Sequence, residues 1–224
     1  MPTVFRLTHE GPTFDVDVEK FRSMLAREIA IESRDDGLYA VVASTGSEDS
    51  LTQALIEREL DRLFFLTCVR LRAEMCRSTV TADLAIKYRI HRKIPEGTAP
   101  LTWTDKLALQ LKFWSLAADT TDQMARVILL YQIIELKYPD LNDKCAYPPY
   151  KDEKTPLSPR TEAKLLRNIV AHAGDARPET ASYLRFLGLP TSLSNLTHPD
   201  WIKVLSNRLP IVEMEARKVL RYAA

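Results

Sequence analysis

Arg167 and His172 are the two side chains of this sequence whose types and spacing suit phosphodiester chemistry. Imidazoles exchange protons near neutral pH, which suits a general base or acid. A guanidinium stays protonated and offers paired donors that match phosphate oxygens. Together they could take the proton of a ribose 2′-hydroxyl and hold the charge that builds up as that hydroxyl attacks its own phosphate. Such a reaction needs no metal ion. Asn168, beside Arg167, is the third polar candidate, with an amide able to orient the imidazole.

The stretch Leu165 to Gly174 must position them. On a helix at about 100° per residue, Leu165, Leu166, Ile169, Val170 and Ala173 gather on one side as a core face. Asn168, Ala171 and His172 lie on the other, with Arg167 at its edge. Arg167 and His172 are then about 140° apart around the axis and are expected to flank this face without touching. Asn168 and His172, four residues apart, are expected to meet. Ala171 is small enough for a second helix to pack close. Gly174 is expected to end the helix, where a left-handed residue is cheap. A plainer reading pairs Arg167 with a carboxylate and lets the helix dipole favour His172.

The run Arg167-Asn168, then His172 and Gly174, resembles the HEPN superfamily, whose signature is Arg, four to six residues, then His. A polar residue commonly follows that Arg, and a Gly the His. The resemblance covers the C-terminal half. It implies a helical bundle that dimerises through the motif helix, so that both Arg and both His share one cleft. The implied activity is metal-independent endoribonuclease, with Arg167, His172 and Asn168 as site residues and RNA as substrate. The implied setting is bacterial stress response, toxin–antitoxin pairing or anti-phage defence, with a neutralising or sensor protein as a possible partner. The alternative is a non-catalytic RNA-binding or protein-interaction module of the same fold, and a third reading is a structural helical adaptor. Glu135, at the end of the preceding apolar helix, also resembles a recurrent HEPN feature. It is expected to support Arg167 or Arg126.

Other chemistries find little footing. Six glycines leave no phosphate-binding loop motif. His9, His91, His172 and His198 are far apart and paired with no Cys at ligand spacing, so neither a metal nor a cofactor is expected. Serine and cysteine nucleophile signatures are absent. Lys and Arg number 31 against 30 Asp and Glu, so no global field points to tight nonspecific nucleic-acid binding. Arg217, Lys218 and Arg221, with Arg177 and Arg185, make only small basic patches, expected to be ordinary surface. Cys68, Cys76 and Cys145 read as reduced thiols. No apolar run approaches a spanning helix, and the N-terminus lacks a signal peptide. A soluble cytoplasmic protein without membrane contact is expected.

Periodicity predicts an α+β class: an N-terminal α/β region with a mostly antiparallel sheet, followed by an all-α helical bundle. Strands are expected at Thr3 to Thr8, Phe14 to Val18, Ile29 to Ile31, Leu38 to Ser44 and, at unusual length, Val80 to His91. The turn Arg34-Asp35-Asp36-Gly37 joins two of them. Val18 to Arg27 fits either a short helix or more β structure. A long helix is expected from Glu48 to about Cys76. Pro95 to Pro100 is the clearest linker, which divides the chain into residues 1–98 and 99–224. Beyond it, helices are expected from Asp105, over Gln123 to Tyr138, from Ser158, over Pro178 to Leu187, and over Trp201 to Tyr222. The second of these is apolar almost all round and should be central. Glu162 and Lys164 are expected on the solvated side of the motif helix.

Overall fold

The computed structural model describes residues 3–9, 17–34, 37–42, 49–76, 98, 100–152, 154–172, 177–190 and 199–221. They fall in two compact units, Met1–Leu111 and Lys112–Ala224. The class is α+β, with an antiparallel sheet in the first unit and a helical second unit.

The first unit runs β1 (Thr3–Thr8), α1 (Val18–Met24), β2 (Ile29–Arg34), β3 (Gly37–Val42), α2 (Asp49–Thr67) and β4 (Arg72–Met75). The sheet order is β2-β3-β1-β4, with each neighbouring pair antiparallel. Arg34 faces Gly37 across the expected hairpin. Register sets Ala40 opposite both Phe5 and Ile31, so alternate residues of three strands share a face. That face packs with Phe21 and Met24 of α1 and with Ile56, Leu60 and Leu63 of α2. Helices on one face of an antiparallel sheet bury both apolar surfaces at once.

Two expectations are corrected here. Val18 opens a helix instead of closing a strand, because the Asp17 carboxylate caps it by accepting from the Lys20 amide at 3.1 Å. The helix expected to reach Cys76 stops at Thr67. The Thr67 hydroxyl donates to the Leu63 carbonyl at 2.7 Å and accepts from the Val69 amide at 3.1 Å. Cys68 then turns the chain at φ 57°. Leu71 would suit a helical stripe equally well, but the open edge of β1 offers hydrogen bonds that β4 takes up. Phe14 to Val16, the Val80 to His91 strand and the linker apart from Thr98 and Pro100 lie outside the described residues.

A buried charge cluster ties residues around 103 to α2. Glu59 is fully buried, and Trp103 Nε1 donates to its Oε1 at 2.6 Å. The Arg58 guanidinium lies 4.9 Å from the centroid of the same indole, and Arg62 donates to the Met24 carbonyl at 2.9 Å. Burial pushes the Glu59 carboxyl above the usual range, against the pull of the Trp103 hydrogen bond and the Arg62 and Arg58 charges. Burial likewise lowers the Arg62 guanidinium, against the pull of Glu59. Both directions say that desolvation outweighs the attraction within the cluster. A carboxyl raised in the fold holds its proton more tightly there than in the unfolded chain. Its contribution is therefore full below the ordinary carboxylate range and is lost as pH rises through the raised value. Relative to the parent, Glu59→Gln should gain stability as pH rises from about 4 toward 7. Urea denaturation of both proteins across that range tests this, and a pH-independent difference would refute it.

Next, α3 (Asp105–Asp119) starts behind Thr104, whose hydroxyl accepts from the Leu107 amide at 3.2 Å. The second unit continues with α4 (Gln123–Lys137), α5 (Pro159–Ala171), α6 (Pro178–Phe186) and α7 (Pro199–Arg221). Helix α4 packs on both α5 and α7, and no residue from 123 to 136 is exposed, as its all-round apolar character requires. Pro139 follows its C-cap, Tyr138. The connection to α5 is ordered by side-chain turns: Asp140 accepts from the Asn142 amide, Asp143 from Cys145 and Asp152 from Lys154. Gly188, at φ 71°, closes α6, and Pro210 lies inside α7. No helix among the described residues is long and apolar enough to cross a membrane.

Candidate functional site

Helix α5 begins where Ser158 and Pro159 place it. The Ser158 hydroxyl accepts from the Thr161 amide at 3.1 Å, and Pro159 occupies the first turn, where its missing N–H costs nothing. Of the expected core face, Leu165, Leu166 and Ile169 are buried, joined by Ala163; Val170 is half-buried and Ala173 lies outside the described residues. Ala171 is the last helical residue, and His172 is the C-cap at φ −127°, ψ 46°, with its amide on the Asn168 carbonyl at 3.0 Å. Both are exposed. The helix thus ends before Gly174, which lies outside the described residues.

The three candidate side chains come together, though not as the helical wheel suggests. Arg167 Nη1 approaches His172 Nε2 at 3.1 Å and donates to Asn168 Oδ1 at 3.2 Å. Arg167 and His172 therefore touch. Their angular separation assumed helical geometry at both positions, and His172 has left it. The Asn168 side chain meets Arg167, not the imidazole, so it steadies the guanidinium. A guanidinium has donors only, so this contact is a hydrogen bond when Nε2 accepts and the imidazole proton is on Nδ1.

Arg167 is the third rung of a basic ladder along α5. Arg160 lies over the Tyr138 ring at 3.8 Å, Lys164 over Tyr147 at 5.5 Å and Arg167 over Tyr131 at 5.8 Å. The first two hold the preceding connection: Arg160 donates to the Ala146 carbonyl at 3.3 Å and Lys164 to that of Leu141 at 3.0 Å. Thr161 adds a bond to the Pro148 carbonyl at 2.8 Å. Arg167 hydrogen-bonds only Asn168 and His172 among the described residues, which leaves its charge at the open helix end.

Two supporting expectations are corrected. Glu162 is buried, not solvated. It accepts from the Tyr183 hydroxyl of α6 at 2.8 Å and pairs with Arg208 of α7 at 3.4 Å, because those helices cover the side assigned to solvent. Glu135 accepts from Gln132 at 3.0 Å, while Arg126 pairs with Glu213 at 3.7 Å, so the expected arginine support is not made. Tyr131 was legible only as a core residue. Its second role as the floor under Arg167 has no sequence signature. In the C-terminal basic patch, Arg217 pairs with Glu213 at 4.0 Å and Lys218 with Glu215 at 2.5 Å, which mutes its charge.

All three cysteines are free, and the described residues contain no group of three or more His, Cys, Asp or Glu placed to hold a metal ion. No protein-family model, curated protein or solved structure matches the chain.

Proposed function

We propose that this chain is a metal-independent endoribonuclease of the HEPN kind, acting as a homodimer with Arg167 and His172 as its catalytic pair. The observation that carries the reading is the 3.1 Å approach of Arg167 Nη1 to His172 Nε2 at an exposed helix end. A phosphate oxygen would take the Arg167 donor away from Nε2 and so free the imidazole lone pair. Nε2 then accepts the 2′-hydroxyl proton, the O2′–P bond forms and the P–O5′ bond breaks. Arg167 stabilises the charge on the phosphorane, and the departing O5′ takes a proton from a second imidazole. The products are a 2′,3′-cyclic phosphate and a 5′-hydroxyl.

The second imidazole is the reason for the dimer. Exposed Ala171 offers a small contact point beside His172, so two copies of α5 could share one cleft. Light scattering should find a dimer at tens of micromolar. A monomer there would limit the association to about 6–7 kcal/mol and count against a shared site. A bacterial defence or toxin–antitoxin setting follows from the same reading, with a neutralising partner covering this face.

The direct test is cleavage of a mixed RNA pool in EDTA, parent beside His172→Ala, with product ends identified. RNA that is bound and never cut would replace this reading with the non-catalytic module.

A further inference from the structure

The contacts of Arg167 with Asn168 and His172 come from its own helix end and engage only Nη1. A long side chain held at one atom can still swing about it. The ring it lies over belongs to another helix: that of Tyr131 on α4, fully buried, with its centroid 5.8 Å from Arg167 Cζ. That is within the range at which a guanidinium is drawn to an aromatic face. The Tyr131 hydroxyl is buried beside that of Tyr147, which donates to the Tyr138 carbonyl at 3.0 Å. Burial above all, with Tyr147 next, pushes the Tyr131 hydroxyl well above its ordinary range, so the ring stays neutral.

We infer that Tyr131 is a positioning residue whose ring face, not its hydroxyl, sets Arg167 against His172. The inference concerns geometry, and its catalytic consequence rests on the ribonuclease reading above. The platform is supplied by α4, so the packing of α4 on α5 aligns a site that otherwise belongs to one helix end.

The test keeps ring size nearly constant and varies only the electron density of the ring face. Full-length protein would carry, at position 131, Phe and then phenylalanines with increasing fluorination. Two readouts are taken: the nitrogen NMR signal of the His172 ring, assigned by its loss in His172→Gln, and kcat and KM for RNA cleavage. Tyr131→Phe should match the parent in both, because it keeps the ring face on which Arg167 lies. Increasing fluorination should progressively erase the Nε2 signature of the Arg167 contact. It should lower kcat by roughly tenfold at the end of the series, with KM little changed. Thermal melting confirms that each variant is folded. A His172 signal that does not respond along the series overturns the positioning role, whatever the RNA shows. A signal that follows the series in a protein that never cuts RNA supports the platform and refutes only the ribonuclease reading.

Discussion

Replacing His172 with Ala should slow RNA cleavage by about 10²–10⁴-fold, the usual contribution of a positioned proton-transfer group. Arg167→Ala should lose about 10²–10³-fold, as expected when a donor aimed at a developing oxyanion is removed. Neither change should disturb the fold. His172 is exposed, Arg167 is half-buried, and the α5 core rests on Leu165, Leu166 and Ile169. The double variant should be little worse than the worse single one, because the two residues serve one transition state. Asn168→Ala should be milder, since its amide only steadies Arg167 through one 3.2 Å bond. Mixing the Arg167→Ala and His172→Ala proteins tests the shared cleft: partial activity in heterodimers would show that the roles divide between subunits. Chelation should leave every rate unchanged. If both single variants bind RNA and cleave at the parent rate, the ribonuclease reading fails.

The second large effect is on stability. Glu162→Ala should cost about 2–3 kcal/mol, mainly because the fully buried Tyr183 hydroxyl loses its 2.8 Å charged acceptor. Arg208 adds little, since its side chain is 34% exposed and can turn to water once its 3.4 Å partner is gone. Burial, and then the Glu162 charge, raises the Tyr183 hydroxyl well above its ordinary range, so it stays a donor at every working pH. Glu162→Gln keeps an oxygen acceptor and should lose less. Adding Tyr183→Phe to Glu162→Ala should recover part of the loss, because it removes the stranded donor. Urea denaturation of the parent, Glu162→Ala, Tyr183→Phe and the double variant measures the coupling. A loss for Glu162→Ala within about 0.5 kcal/mol, the scatter of surface substitutions, would show that this carboxylate is not the junction of α5, α6 and α7.

Glu162 also marks where sequence reading stops. Local signals alone determined β1, the hairpin between β2 and β3, the α4 span ending ahead of Pro139, and the start of α5 at Ser158-Pro159. Each depends on neighbours within a turn or two: alternation, a cap, a proline or a tight-turn pair. The all-round apolar character of α4 likewise announced a central helix before any partner was known. Tertiary structure decided the rest. It stopped α2 at Thr67, because β4 could satisfy the second edge of β1, a pairing across more than sixty residues of chain. It buried Glu162, because a helical wheel divides core from solvent as though a helix had one neighbour, and α5 packs on three. The sequence supplied Arg167, Asn168 and His172 within one turn and a half. Their mutual contact depended on where α5 ended, and a wheel carries no information about a residue that has left the helix. Tyr131 shows the same limit from the other side. Within α4 it is one more buried ring, and only the packing of α4 against α5 turns it into the floor beneath a guanidinium.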